Sequence, residues 1–400
     1  MSLNGIPSSE RIHIGFFGMR NAGKSSLVNV LTGQMISVVS DVKGTTTDPV
    51  KKAMELLPLG PVVIIDTPGI DDEGELGAMR VGRARQMLSL CHAAVLVVDG
   101  REGMRAEDEL LLEEIRSRKL THIVVFNKAD LMDDQNQLPD NALFVSAETG
   151  AGIDALKERL CRLKGSLQSD KRIVSDLIDP GDLAVLVAPI DQAAPKGRLI
   201  LPQQQTIRDL IDHHAIALVC QPQELRQTLA CIGKKPKMVI TDSQAFASVS
   251  RDVPEDIPLT SFSILFARYK GSLARLVQGA AALSKLCDGD RVLIAEGCTH
   301  RRQCGDIGSV KIPGWISQFT GRKLEYAFCS GGEFPEDLSG YSLIVHCGGC
   351  MLNEAEMGSR MRRAADSGIP MVNYGVAIAH MHGILRRSIA IFPDALKLLD

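Results

Sequence analysis

Gly18-Met19-Arg20-Asn21-Ala22-Gly23-Lys24-Ser25 is the stretch on which the fold turns, a full match to G-x-x-x-x-G-K-[ST]. The run RIHIGFF (residues 11–17) precedes it and the helix-patterned SLVNVLTG follows. A strand, a glycine-rich loop and a helix in that order make a phosphate cradle. Glycines such as Gly23 let backbone N–H groups wrap the phosphates, Lys24 reaches the β and γ oxygens, and the Ser25 hydroxyl is placed to ligate magnesium, with Ser26 beside it in the nucleotide site. The N-terminus of the following helix adds its dipole. Alone, this loop would equally suit an ATPase or a kinase.

Further segments select guanine. Asp66-Thr67-Pro68-Gly69 ends the apolar run PVVIID, putting a carboxylate near magnesium and the Gly69 amide near the γ-phosphate. Asn127-Lys128-Ala129-Asp130 follows THIVVF, and the Asp130 carboxylate can accept from guanine N1 and N2, donors that adenine lacks. Ser146-Ala147 supplies backbone contacts to guanine O6. Within Gly44-Thr45-Thr46-Thr47-Asp48, Thr46 is the candidate second magnesium ligand. Together these predict a domain that binds GTP with Mg2+ and hydrolyses it, with Lys24, Thr46 and Gly69 as the catalytic group. Order and spacing resemble the translation-factor class of GTPases and its Era/TrmE-like group in particular. Two features bear on rate. Ile70 stands where Ras-like enzymes carry a water-positioning glutamine, and an apolar side chain cannot orient water. Asn21 occupies the position that in the TrmE-like group coordinates K+, a cation that would neutralise developing charge; the alternative for a turn-prone Asn is a loop-closing hydrogen bond. The expectation is slow, potassium-stimulated turnover.

The remainder of the 400 residues continues the strand–helix alternation: DLAVLVAPI, AIALVCQ and KMVITDS, then RVLIAEG, KLEYAF, SLIVHCG and PMVNYG. Such alternation implies mainly parallel sheets covered by helices. The expected fold class is α/β, in three consecutive domains: residues 1–168 (P-loop GTPase), 172–266 and 267–400. The net charge of −3 provides no basic field for nucleic acid. No apolar run reaches the roughly 18 residues of a membrane helix. Residues 1–11 lack a signal-peptide pattern, and ten cysteines without one point to reduced thiols, some of them metal ligands, in a cytoplasmic setting.

Cys298-Thr299-His300 follows RVLIAEG, and His346-Cys347-Gly348-Gly349-Cys350 follows SLIV. Both therefore fall at the carboxyl ends of strands in one parallel sheet, where open α/β folds bind ligands. Three thiolates with imidazole suit zinc or an iron–sulfur cluster. Only one C-x-x-C knuckle is present, which favours a 4Fe–4S cluster with an exchangeable fourth corner over zinc.

A GTPase of this type, an α/β middle region and C-x-H…H-C-x-x-C together resemble the HydF family of FeFe-hydrogenase maturation GTPases. LIDPGDLAVLVAPID and the following QAAPKGRLILPQQQTIRDL resemble the start of that family's dimerisation domain. The resemblance implies a homodimer formed through residues 172–266 that carries a 4Fe–4S cluster. It further implies that a transient diiron precursor is received from radical-SAM maturases and passed to apo FeFe-hydrogenase. Carried over by position, Cys298, Cys347 and Cys350 are the cluster ligands. His346 and His300 are weaker candidates for the fourth site, and His346 either ligates iron or caps a strand end. Arg301-Arg302 either holds an anionic precursor or is a solvated loop. Cys304 and Cys329 are set aside as small buried hydrophobes. The competing reading is an RNA- or ribosome-associated GTPase with structural zinc, against which stand 4% aromatics and the lack of a stacking platform.

Overall fold

The computed structural model describes residues 6–33, 50–57, 59–69, 82, 84–132, 142–163, 171–190, 199–298 and 306–399. Thr46, Ile70, His300, Arg301 and Arg302 lie outside the described residues. The chain forms two compact units, residues 1–170 and 171–400. Its sheets are mainly parallel, as an α/β chain requires.

The first unit is built on the strands β1 (Ile12–Phe17), β2 (Val50–Leu56), β3 (Gly60–Asp66), β4 (Ala93–Asp99), β5 (Thr121–Asn127) and β6 (Leu143–Phe144). They lie in the order β2-β3-β1-β4-β5-β6, with only β2 antiparallel to its neighbour. β1, β3 and β4 are almost wholly buried because helices cover both faces, which explains their unbroken apolar sequences. β2 alternates exposed and half-buried residues, the signature of an edge strand, and its charged VKKAMEL has no apolar run to announce it. Chain order reverses at β1, between β3 and β4, so the loop after β1 opens at the switch point of the sheet.

The second unit holds two four-stranded parallel sheets. One is β10-β9-β7-β8, from β7 (Leu183–Val187), β8 (Ile216–Cys220), β9 (Met238–Thr241) and β10 (Leu259–Ser261). The other is β12-β11-β13-β14, from β11 (Arg291–Glu296), β12 (Glu325–Ser330), β13 (Leu343–His346) and β14 (Met371–Asn373). A single continuous apolar core spans both, including Leu186, Phe246, Phe266, Leu276, Ile294 and Val345. The expected division between residues 266 and 267 falls inside the helix Phe262–Lys270, which packs against helices belonging to both sheets. No helix among the described residues is long and apolar enough to cross a membrane.

At the edge of the first sheet away from its loops, His13 and His92 stand with ring centroids 5.7 Å apart. The His13 backbone N–H donates to His92 Nδ1 at 3.0 Å, which occupies the lone pair a proton would need. Burial lowers both imidazoles from 6.5 to about 4. The unfolded chain therefore takes up protons near pH 6.5 and the folded chain only near pH 4. Stability from these groups is complete above pH 6.5 and is lost as pH falls toward 4. For the buried His13 the loss reaches about 3 kcal/mol. The thermal midpoint should fall across that window, and the His13→Gln, His92→Gln double variant should fall less steeply. Identical slopes would contradict this assignment.

Candidate functional site

The nucleotide motifs meet at the carboxyl edge of the first sheet. The loop after β1 leads into the helix Lys24–Thr32, whose N-cap Gly23 has φ 86°. A Cβ there would lie 2.1 Å from Asn127 Nδ2, so this position needs glycine on two counts. Asn127, at the end of β5 and 1% exposed, donates from Nδ2 to the Ala22 carbonyl at 3.0 Å and accepts at Oδ1 from Ala147 N–H at 3.1 Å. One side chain thus joins the phosphate loop to the Ser146-Ala147 loop. Ser146 Oγ accepts from Thr149 N–H at 3.1 Å, which closes that turn. Lys24, buried, donates to the Gly18 and Met19 carbonyls at 3.0 and 2.8 Å. Gly69 packs against the same loop, where a Cβ would lie 2.7 Å from Arg20 Cα.

Ser25 Oγ donates to Asp66 Oδ2 at 2.7 Å, while Asp66 Oδ1 is buried with no hydrogen-bond partner among the described residues. A buried carboxylate oxygen left unpaired beside a hydroxyl, at a helix N-terminus, is an oxygen donor set suited to Mg2+. Asn21 sits on the exposed rim of the loop with φ 61°. Ser26 lies in the first turn of the helix, half-buried. Asp130 is exposed in the short helix Ala129–Leu131, where its carboxylate is free to reach a base.

Asp99, at the end of β4, was not singled out by sequence. It holds Lys128 Nζ at 2.6 Å and Arg101 at 2.7 Å. Burial opposes its charge, but the bonds from Arg101 and Lys128 outweigh that and keep the carboxyl well below the ordinary carboxylate range. Lys128 has φ 64°, a conformation that the ion pair helps to hold. The only sequence signal is an acid ending an apolar strand, AAVLVVD.

In the second unit, β11 lies between β12 and β13, so chain order reverses there as well. Cys298 follows β11 and Cys347 follows β13, at the crevice this reversal opens. The Cys347 N–H extends the ladder by bonding the Ala295 carbonyl at 2.8 Å. Cys347 Sγ accepts from Gly297 N–H at 3.1 Å and from Gly349 N–H at 3.4 Å. Gly349 has φ 64°, which turns its amide inward. Burial pushes the Cys347 thiol up to about 12, neighbouring Cys350 and Cys298 add to this, and the two amides partly offset it. Burial likewise raises Cys350, against the nearby Lys270.

His346, the last residue of β13, is fully buried. Its Nε2 lies 3.0 Å from Arg360 Nη1; arginine can only donate, so Nε2 accepts and Nδ1 carries the proton. Nδ1–H donates to the Cys347 carbonyl at 2.8 Å. Burial, then the Arg360 charge, lowers this imidazole to about 3. With both nitrogens engaged, His346 braces the end of β13. Arg360 itself, 3% exposed, is paired to Glu356 at 2.7 Å and bonds the Gly331 carbonyl.

Among the described residues no three Cys, His, Asp or Glu side chains converge on a point suited to one metal ion. A 4Fe–4S cube takes each cysteine at a different iron, so its ligands need not converge on one atom. Three neighbouring thiols, with N–H groups aimed at one sulfur, are a donor set that fits such a cube.

Three segments match known families. Residues 13–128 match the model of a 50S ribosome-binding GTPase, residues 173–271 the hydrogen maturase F dimerization domain, and residues 274–391 the hydrogen maturase F tetramerization domain. The tRNA modification GTPase MnmE of Chromobacterium violaceum is 35% identical over 169 residues, covering 41% of this chain and 37% of that protein. That of Nitrosospira multiformis is 35% identical over 163 residues, covering 39% and 36%. The chain thus spans little more than a third of the length of these relatives. Among solved structures, an Era variant from Aquifex aeolicus bound to GDP·AlF4− aligns with 19% identity and a TM-score of 0.36, over 55% of this chain and 98% of that one.

Asn127→Ala should destabilise the first unit by about 3 kcal/mol, since it leaves the Ala147 amide and the Ala22 carbonyl without their buried partner. Guanine-nucleotide affinity should fall at least about tenfold. Denaturant unfolding and nucleotide titration check both; a variant matching the parent in each would show that this link carries no load.

Proposed function

Because the chain belongs to the hydrogen maturase F (HydF) family, whose two domain models together match more than half of it, we propose that it is a GTP-hydrolysing scaffold and carrier for FeFe-hydrogenase maturation. In this reading Cys298, Cys347 and Cys350 hold a 4Fe–4S cluster. The protein receives a diiron precursor from radical-SAM maturases as its cargo and hands it to apo FeFe-hydrogenase. The observation that carries the reading is the pair of N–H bonds to Cys347 Sγ at the crevice between β11 and β13. When bound, a cluster would supply an iron corner free for exchange. This chain's own residues supply the thiols, the amide dipoles and a braced strand end. In this reading His346 serves as that brace, the strand-end role that is one of its two sequence readings.

Hydrolysis at the first unit serves as a slow switch that times cargo exchange, with Lys24, Thr46 and Gly69 around the γ-phosphate and Mg2+ on Ser25, Thr46 and Asp66. Asn21, exposed at the loop rim, supports K+ as the stimulating cation. The working division is residues 1–168 for the GTPase, 172–266 for dimerisation and 267–400 for the cluster, in a cytoplasmic protein. Edge strand β8, which exposes Ile216 at 54% and Val219 at 44%, is the element that supports a homodimer through the middle segment. A ribosome-associated role is disfavoured, since the chain beyond the GTPase segment matches maturase domains.

Loaded with a synthetic diiron precursor under anaerobic conditions, the protein should activate apo FeFe-hydrogenase, read as hydrogen evolution. Cys298→Ser, Cys347→Ser and Cys350→Ser should each lower activation at least about tenfold, and GTP turnover of the same preparation should be faster in potassium than in sodium. Activation unaffected by all three serine variants would overturn the carrier reading, and equal rates in the two salts would remove K+ from it.

A further inference from the structure

Lys270 is the last residue of the helix Phe262–Lys270 and is only 3% exposed. A lysine ammonium is seldom buried so deeply without strong partners. Its Nζ donates to the Cys350 carbonyl at 3.0 Å and the Leu352 carbonyl at 2.8 Å, and lies 5.6 Å from the Phe266 ring centroid. The carboxyl end of its own helix also favours a positive charge. Lys270 thus grips the far end of the Cys347–Cys350 turn, while His346 grips the near end through the Cys347 carbonyl.

Carbonyl oxygens at both ends of the turn are therefore tied to buried donors, and amides of Gly297 and Gly349 point at sulfur. Lys270 and Arg360, two buried cations near the turn among the described residues, differ in what they can do. Arg360 is paired with Glu356 and bonds the His346 ring and the Gly331 carbonyl, so its service is to the end of β13. Lys270 stands directly behind the turn, its ammonium bonded to the carbonyl of Cys350 itself. A positive charge fixed in a low-dielectric interior favours any added electron on a group held in front of it.

We propose that Lys270 is a positioning residue that raises the reduction potential of a cluster held by Cys298, Cys347 and Cys350, by placing a buried positive charge behind the Cys347–Cys350 turn. The proposal rests on the cluster-binding reading above. Reduction adds one electron and one negative charge to the cluster; removing the Lys270 charge takes away a buried positive partner of that added charge, and the reduced form is then less favoured.

The test uses the full chain reconstituted anaerobically with iron and sulfide, its midpoint potential followed by electron paramagnetic resonance during reductive titration. Lys270→Gln keeps a hydrogen-bond donor and removes the charge, and Lys270→Arg keeps the charge. The glutamine variant should retain iron and titrate more negatively, by about tenfold in the reduction equilibrium, which is about 59 mV for one electron. The arginine variant should titrate close to the parent. A glutamine variant with the parent's potential would overturn the proposal, and so would one that shifts together with the arginine variant. Should the glutamine variant hold no iron while arginine does, Lys270→Met in the presence of partial iron loading reads the same shift, and a parent-like potential there overturns it too. A parent chain that forms no cluster at all would instead fail the cluster-binding reading.

Discussion

The parallel pairing of β11 with β13 is the constraint on which the candidate cluster site depends. Because both strands run the same way, the residues that leave their carboxyl ends, Cys298 and Cys347, emerge at the same edge despite their separation in sequence. Because β12 lies on the other side of β11, the chain turns away in opposite directions and leaves a crevice there. The bond from Gly297 N–H to Cys347 Sγ is the direct expression of this closeness. An antiparallel arrangement of the same strands would place the two cysteines at opposite edges.

The same logic builds the nucleotide site of the first unit. The loops after β1, β3, β5 and β6 carry the motifs, and Asn127 ties two of them together from one buried amide. Among the described residues, the unpaired Asp66 Oδ1 beside Ser25 is a buried polar atom that calls for a cation. Both sites are thus assembled by sheet topology, with short loops supplying chemistry and the buried strands supplying position.

Much of this was legible in the sequence. Unbroken apolar runs mark strands buried on both faces, and G-x-x-x-x-G-K-[ST] after such a run admits few alternatives. β2 escaped because an edge strand with Lys51, Lys52 and Glu55 has no apolar run to see. Asp99, Arg360 and Lys270 escaped for a different reason. Each acts on a motif from another element, across 29, 14 and 80 residues of chain, and only tertiary structure brings it there. His346 was partly readable, since capping a strand end was one of its two sequence readings and its ring bonds the Cys347 carbonyl and Arg360.

The central claim is that three cysteines at one sheet edge hold an iron–sulfur cube. It is tested most directly by purifying the full chain anaerobically and measuring iron, acid-labile sulfide and zinc per polypeptide. The account predicts a brown protein with roughly four irons and four sulfides per chain and little zinc. A colourless protein carrying one zinc per chain, with neither iron nor sulfide, would contradict it.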